Sequence, residues 1–163
     1  MFKLFESGYL KLSSALSKLV NSSMRIEVAH DLSANEVAAV EQRLYEFSRE
    51  ATGACDGRNL GFIIRDETGD VVGAALGYTW AGIAELSQLW VAEGCRGRGM
   101  GCALLDSFVD EAVRRGVKRI WLTSYDFQAP LFYERAGFVH VADIKDWPIG
   151  HTNSIFCRTV NDE

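Results

Sequence analysis

A glycine-rich run between a predicted strand and a predicted helix carries the most specific chemistry in the sequence. Residues 91–101 read Val-Ala-Glu-Gly-Cys-Arg-Gly-Arg-Gly-Met-Gly. Glycines let the backbone approach a ligand closely, and the first N–H groups of a helix have no partner within the helix. Together with the helix dipole and the charges of Arg96 and Arg98, this pattern predicts a site for an anion such as a pyrophosphate. The alternative is a tight turn that binds no ligand.

The spacing of these glycines argues against the two best-known phosphate loops. A dinucleotide fingerprint has Gly-x-Gly-x-x-Gly after the first strand of a doubly wound sheet, whereas this loop reads Gly97-x-Gly99-x-Gly101 and comes late in the chain. A Walker loop ends in Gly-Lys-Ser/Thr, and this loop does not. The spacing alone therefore leaves the phosphate ligand open.

Composition and charge narrow the function classes further. The 163 residues are 48% hydrophobic and 24% charged, which is typical of a globular protein. Seventeen Lys and Arg against twenty-two Asp and Glu give a net charge of −5. This balance argues against broad nucleic-acid binding and suits a cationic small molecule better.

The cysteines and the apolar runs give expectations about metal and membrane. Cys55, Cys95, Cys102 and Cys157 form no Cys-x-x-Cys pair and lie apart from the histidines, so we expect no metal site. No stretch approaches about 18 uncharged apolar residues. The N-terminus lacks the apolar core of a secretory signal. We expect a cytoplasmic protein with no stable membrane insertion.

Hydrophobic periodicity predicts an N-terminal extension followed by one domain. In residues 1–23 the apolar positions three and four apart form one stripe of a helix. They are Phe2, Phe5, Tyr9, Leu12, Leu16 and Leu19. We interpret residues 1–23 as an accessory amphipathic helix that packs on the domain or on a dimer partner, with an interfacial membrane helix as the alternative. Residues 24–163 carry the regular patterning of the domain.

Within residues 24–163 the patterning predicts a mixed sheet. Ser33 and Glu36 form a capping box that opens the first helix. The predicted elements are strand 24–30, helix 33–49, strands 60–65, 71–80 and 83–91, a helix over 104–113, strand 118–124, helix 128–136, and strands 138–144 and 151–160. The three strands from residue 60 to residue 91 predict an antiparallel meander. The strand–helix–strand unit that follows predicts a parallel, right-handed connection.

Two motifs in this order make the sequence resemble the GCN5-related N-acetyltransferases, the GNAT family. Arg96-x-x-Gly99-x-Gly101 is similar to the family's Gln/Arg-x-x-Gly-x-Gly/Ala motif. Residues 132–138, Phe-Tyr-Glu-Arg-Ala-Gly-Phe, are similar to its Leu/Phe-Tyr-x-x-x-Gly-Phe signature. The resemblance covers about residue 24 to the C-terminus. It implies an α/β (α+β) fold: a single GNAT-like domain with a mixed, mostly antiparallel sheet, a central parallel strand pair splayed around an acetyl-CoA cleft, and helices on both faces.

The resemblance also implies acetyl-CoA as co-substrate, no metal, and roles on the cofactor side. The residues that would hold the pyrophosphate through backbone N–H groups are Arg96, Gly97, Arg98, Gly99, Met100 and Gly101. Leu89, Trp90 and Val91 would pair with the pantetheine arm. Asp126 stands where many members have Asn; because an ionised carboxylate only accepts hydrogen bonds, it would accept from the pantetheine or the acceptor. Family members often form homodimers, which we expect here as well.

Acetylation of an amine sets three chemical requirements. An alkylammonium with a pKa near ~10.4 must lose a proton, the tetrahedral oxyanion needs N–H donors, and the departing thiolate needs a proton. The resemblance implies Tyr133 as the acid beside the sulfur, with a core tyrosine as the alternative. It implies the backbone N–H of Trp90 or Val91 as the oxyanion donor. For the base we predict Glu85 acting through a water, with an exposed strand-end glutamate as the alternative and Asp126 as the second candidate.

Aromatic and polar residues predict the acceptor side. The candidate substrate-binding residues are Trp80, Ser87, Tyr125 and Trp147. The rings of Trp80, Tyr125 and Trp147 could stack on a cation or could pack in the core or at an edge. Ser87 or Gln88 could orient the amine. We interpret His151 as a structural histidine, with entry into the cleft as the alternative.

The sequence thus predicts an acetyl-CoA-dependent N-acetyltransferase that acts on the primary amine of a small, cationic acceptor by direct attack. One alternative is an enzyme that acetylates a protein N-terminus or lysine. Another is a non-catalytic acyl-CoA-binding module. A toxin that acetylates charged tRNA is disfavoured by the net charge of −5.

Overall fold

The computed structural model describes residues 26–160 and shows an open mixed sheet. The six strands within this range are β1 (Arg58–Arg65), β2 (Val71–Trp80), β3 (Ile83–Val91), β4 (Arg119–Tyr125), β5 (Val139–Lys145) and β6 (Thr152–Thr159). Their order across the sheet is β1-β2-β3-β4-β6-β5, and β3–β4 is the one parallel pair among them. The helices in the same range are α1 (Ala34–Thr52), α2 (Met100–Arg114) and α3 (Pro130–Arg135). The fold class predicted from the sequence is confirmed.

Helix α1 begins where its capping box predicts. The Ser33 N–H donates to Glu36 Oε2 at 2.8 Å, and the Glu36 N–H donates back to Ser33 Oγ at 3.3 Å. The strand predicted over 24–30 is wrong in its described part, because residues 26–30 form no strand. An alternating apolar pattern suits one face of a strand, but a strand also needs a neighbour to bond its backbone N–H and C=O groups. Residues 26–30 have no such ladder partner within residues 26–160. The predicted extension, residues 1–23, lies outside the described residues.

The β1–β2–β3 meander forms as predicted, and β2 and β3 have the predicted ends. Ala81 and Gly82 make the β2–β3 turn with φ of 51° and 77°, the left-handed pair that a two-residue hairpin requires. Asp66 shapes the β1–β2 turn, since its Oδ1 accepts the Thr68 and Asp70 N–H groups at 3.0 Å each. The chain forms two compact units that meet in sequence between residues 44 and 45, and the whole sheet belongs to the second unit.

Helices α2 and α3 contribute buried residues to one core on one face of the sheet. The buried residues of α2 are Leu104, Leu105, Phe108, Val109 and Ala112. From α3, Tyr133 joins the same core beside Phe156 of β6.

Gly77 is required where β2 passes β3, because a Cβ there would lie 1.9 Å from the Glu85 carbonyl oxygen. A helix on the second face stays a prediction. No helix within residues 26–160 is long and apolar enough to cross a membrane.

Candidate active site

Strands β3 and β4 pair over a short stretch and then part. The parallel register joins residues 83–85 to residues 119–121, after which β3 runs on to Val91 and β4 to Tyr125. The gap is a cleft of about 720 Å³, lined by residues 86–91 on one wall and by residues of β4 and of the segment 127–129 on the other. A second cavity of about 440 Å³ lies against the glycine loop and the start of α2. Both cavities share residues 89–91, Arg96, Ala129 and Tyr133, so they form one continuous site.

The glycine loop turns the end of β3 into the start of α2. A single 3₁₀ turn, Glu93–Cys95, is followed by Gly97 and Gly99 with φ of 72° and 80°. Residues 99–102 line the second cavity at the N-terminus of α2, where the first N–H groups lack helical partners. The Arg96 Nε donates to the Val91 carbonyl at 3.0 Å, which fixes this guanidinium at the cavity wall. The loop therefore presents N–H groups and positive charge to an anion.

The edge of β3 presents unpaired backbone groups to the cleft. The Ala92 N–H donates to the carbonyl of Val72, the second residue of β2, at 2.9 Å. Because backbone groups alternate in direction along an antiparallel strand, those of Trp90 also face β2, whereas those of Leu89 and Val91 face the cleft. Of the two oxyanion donors predicted from the sequence, this alternation favours Val91.

Tyr133 lies at the junction of the two cavities. Its side chain is buried, and its ring packs against Phe132, Phe138 and Phe156 at centroid distances of 5.1, 6.0 and 6.3 Å. Burial raises the pKa of the Tyr133 hydroxyl above its usual range. Because a phenol titrates near ~10 in water, the hydroxyl keeps its proton at neutral pH and is a hydrogen-bond donor.

A bulge in β3 places Ser87 and Gln88 at the cleft and Glu85 at its closed end. The register of β2 and β3 shifts so that Leu76 pairs with Gln88 and Gly77 with Leu86, which leaves Ser87 as the extra residue. Ser87 and Gln88 line the cleft, and the Ser87 hydroxyl donates to Glu85 Oε1 at 3.1 Å. Glu85 itself pairs with Trp121, the last pair before the strands part.

The structure places Trp80 away from the cleft, which corrects its predicted role in substrate binding. Since β2 runs antiparallel to β3, its last residue pairs with Ile83, at the end where β3 and β4 are still joined. The Trp80 indole N–H donates to the Ala54 carbonyl at 3.3 Å. Trp80 therefore anchors the segment before β1.

Two other predicted acceptor residues lie at the open end of the sheet. Tyr125 ends β4, and its ring stacks on Phe127, a cleft residue, at 5.1 Å with an interplanar angle of 5°. Trp147 is half exposed in the connection between β5 and β6. Because Tyr125 pairs with Asn153 and Lys145 with Thr152, this connection lies at the same end of the sheet as the cleft mouth.

Asp126 follows Tyr125 but lies outside the lining of both cavities. Its Oδ2 accepts the Thr152 N–H, and its Oδ1 contacts His151 Nδ1, both at 3.0 Å. Partial desolvation raises the pKa of the Asp126 carboxyl, but the hydrogen bonds from the Thr152 amide and His151 outweigh it. The pKa therefore lies below its usual range. The contact between Asp126 and pantetheine stays a prediction.

Sequence reasoning missed much of the cavity lining, most of all on the wall opposite β3. The missed lining residues are Leu86, Cys95, Cys102, Thr123, Ser124, Phe127, Gln128, Ala129 and Phe132. The available signal was position, since ligands gather beyond the carboxyl ends of parallel strands and residues 123–129 span that end of β4. Arg98, which was predicted, is exposed and lies outside the lining. Within residues 26–160 no group of three or more His, Cys, Asp or Glu side chains is arranged to hold a metal.

The fold and the cleft define a class of enzyme. A splayed parallel pair with an anion-binding loop on one side and a buried acid between the walls suits transfer of an acyl group from a phosphorylated carrier. Residues 25–138 match the model of the acetyltransferase (GNAT) family. The chain therefore belongs to the GNAT family and is an acetyltransferase.

Individual relatives agree with this family. The blasticidin-S acetyltransferase of Streptomyces morookaense is 32% identical over 93 residues, which cover 56% of this chain and 68% of the relative. An acetyltransferase structure from Bacillus cereus has a TM-score of 0.69 at 23% identity, covering 84% of this chain and 100% of the other. A structure from Bacillus anthracis in complex with acetyl coenzyme A has a TM-score of 0.56 at 17% identity, covering 63% of each chain. The two structures share the fold described above.

Proposed function

We propose that the protein transfers the acetyl group of acetyl-CoA to the primary amine of a small, cationic acceptor. The observation that carries the proposal is that the glycine loop, the free edge of β3 and Tyr133 line one continuous cleft. The pyrophosphate would lie at residues 96–101, against the start of α2 and Arg96. The pantetheine arm would pair with the backbone of Leu89 and Val91, the β3 residues whose backbone groups face the cleft.

The transfer itself needs no covalent enzyme intermediate. The neutral amine nitrogen attacks the thioester carbon, and the resulting oxyanion accepts a hydrogen bond from a backbone N–H of β3 that faces the cleft. The carbon–sulfur bond then breaks, and Tyr133 gives its proton to the sulfur and regains one from solvent. The proton lost by the nitrogen passes to a base on the acceptor side.

Three observations support a cationic small molecule as acceptor. The chain carries a net charge of −5, and Glu85 and Ser87 lie at the closed end of the cleft. Phe127, which is stacked on Tyr125, offers aromatic surface on the wall opposite β3, where a cation can stack. The relative from Streptomyces morookaense acts on blasticidin S by its name. A homodimer and a cytoplasmic location stay predictions.

Calorimetry and an amine panel test this proposal. Acetyl-CoA titrated into the protein should bind at one site per chain. An assay of CoA release with blasticidin S, spermidine and a peptide with a free N-terminus should then show turnover with the small amines. Absence of acetyl-CoA binding, or binding without turnover of any amine, would overturn the proposal. Turnover of the peptide alone would show that the acceptor is a peptide or protein and not a small amine.

Replacement of Tyr133 by Phe tests the acid. We expect kcat to fall by about 10²-fold, the lower range for loss of a general acid, while the Kd of acetyl-CoA stays within about twofold. Tyr45→Phe is the matched control, because the Tyr45 hydroxyl accepts the Gly57 N–H away from the cleft. Equal kcat for Tyr133→Phe and Tyr45→Phe would remove Tyr133 from the mechanism.

A further inference from the structure

Asp126 and His151 form a dyad at the open end of the sheet. The carboxylate is fixed by backbone as well as by the imidazole, since Oδ2 accepts the Thr152 N–H and the Asp126 N–H donates to the Thr152 carbonyl at 2.9 Å. Oδ1 lies 3.0 Å from His151 Nδ1. The His151 N–H of the main chain donates to the Pro148 carbonyl at 2.9 Å. Both members are therefore held on an ordered backbone.

The dyad fixes which imidazole nitrogen carries the hydrogen. An ionised carboxylate has no hydrogen to donate, so His151 Nδ1 must be the donor in this contact. In the neutral ring the hydrogen then lies on Nδ1, and Nε2 keeps a free lone pair. A carboxylate that orients an imidazole through Nδ1 leaves Nε2 as a base and stabilises the imidazolium that forms.

The ring lies next to the cleft. His151 packs edge-on against Phe127 at a centroid distance of 4.9 Å, and Phe127 lines the same cavity as Tyr133 and Gln88. The His151 side chain is 48% exposed, so Nε2 has access to an incoming molecule or its water. Phe127 stacks in turn on Tyr125, the last residue of β4.

Among residues 26–160, Asp126 is the charged group that pairs with the His151 ring. Asp126 lies in the segment after β4, and the titratable residue before it, Tyr125, stacks on Phe127. From its own connection, Asp146 accepts the Gly150 N–H at 3.3 Å, and Lys145 at the end of β5 is paired with Asp143 at 2.8 Å. Asp126 is thus the charge in direct contact with His151.

We propose that His151 is the base that takes the proton from the acceptor ammonium, with Asp126 as its positioning residue. This inference rests on the proposed function. The N–H bond of the ammonium breaks, its proton goes to His151 Nε2 and from there to solvent, and the electron pair stays on nitrogen to attack the thioester carbon. Glu85, the base predicted from the sequence, lies at the closed end of the cleft, whereas His151 lies at the open end beside Phe127. Neither side chain belongs to the cavity lining itself.

The test compares His151→Gln, Asp126→Asn and Glu85→Gln, using the amine of the panel that wild type turns over fastest. For His151→Gln we expect kcat/KM for the amine to fall about 10²-fold at pH 7, with unchanged acetyl-CoA binding. Its log kcat/KM should rise by one per pH unit up to the pKa of the amine, because solvent must then remove the proton. Wild type should level off at lower pH. Asp126→Asn should lower kcat/KM for the amine by about tenfold, because the imidazole loses the carboxylate that orients it, and the neutral ring should no longer hold its hydrogen on Nδ1 alone.

His140→Gln is the matched control, because His140 contacts Asp143 at 2.7 Å on β5, away from the cleft, and should leave the profile unchanged. A wild-type pH profile in His151→Gln, or a profile altered by Glu85→Gln instead, would overturn this inference while leaving acetyl transfer intact. Absence of turnover with every amine would overturn the proposed function itself. NMR of the wild-type imidazole nitrogens adds a readout independent of any variant: a hydrogen on Nε2 in the neutral ring would also overturn the assignment.

Discussion

Gly99 and Gly101 illustrate how neighbouring glycines of one motif do different work. Gly99 caps α2 with φ of 80°, where a side chain has open space but the backbone conformation is strained for any L residue. Gly101 lies inside α2, and a Cβ there would make ordinary contacts of 3.9 Å with Phe132 and Val91. The first glycine sets the backbone of the anion site, whereas at the second a methyl group would fit without displacing Phe132.

Replacing each glycine by alanine separates these roles. Gly99→Ala should cost about 1 kcal/mol of stability and weaken acetyl-CoA binding by roughly tenfold, because the N–H groups at the start of α2 turn away from the ligand. Gly101→Ala should change either quantity little. Calorimetric Kd values and urea midpoints measure both, and equal weakening by the two variants would contradict a backbone role for Gly99.

At the scale of elements, the β5–β6 hairpin is held by a polar cluster around Asp143. The carboxylate accepts from Lys145 Nζ at 2.8 Å, from Ser154 Oγ at 2.7 Å, and contacts His140 Nε2 at 2.7 Å. Lys145 first, then His140 and Ser154, hold the pKa of Asp143 far below its usual range. Because β5 is an edge strand with exposed residues throughout, this cluster supplies an attachment that apolar burial does not.

This depressed pKa predicts how stability depends on pH. The unfolded carboxyl titrates near ~3.9, so its contribution is present above that pH and is lost as pH falls towards the folded value. Asp143→Asn should therefore lower the urea midpoint at pH 6 and should show a shallower further loss between pH 4 and pH 2. If the urea midpoints of the two proteins fell equally steeply between pH 4 and pH 2, this account would be contradicted.

At the scale of the whole molecule, Arg115 joins α2 to the β1–β2 side of the sheet. Its guanidinium donates to the Asn59 carbonyl at 3.0 Å, to Thr79 Oγ1 at 3.2 Å and to Glu111 at 2.8 Å. Its side chain is 15% exposed, whereas that of Arg114, which also pairs with Glu111, is 71% exposed. The helix that begins at the anion site is thus tied at its other end to the sheet.

Truncating these two arginines tests the tie. Arg115→Ala should lower the free energy of unfolding by about 2 kcal/mol, because the hydroxyl of the buried Thr79 and the Asn59 carbonyl lose a charged donor. Arg114→Ala makes the same change of residue type at the surface and should cost less than about 0.5 kcal/mol. Urea unfolding of both variants measures the difference, and similar losses would show that Arg115 acts only through Glu111.

Local patterns predicted the elements well and the distant contacts poorly. The ends of β2 and β3 follow from alternation and from the turn at residues 81–82. The strand expected at 24–30 had the same alternation, yet its described part has no ladder partner among residues 26–160. Trp80 looked like an acceptor residue by type alone, and the antiparallel direction of β2 carried it to the closed end.

The sequence by itself determined the loop and its chemistry, because glycine spacing, arginine charge and a helix start lie within eleven residues and need no distant partner. It also determined the motif around Tyr133. Only the tertiary structure decided where β3 and β4 part, which backbone groups of β3 remain free, and that Asp126 meets His151 across 25 residues of chain. Those features depend on pairing between segments far apart in sequence, whose register local propensity does not specify.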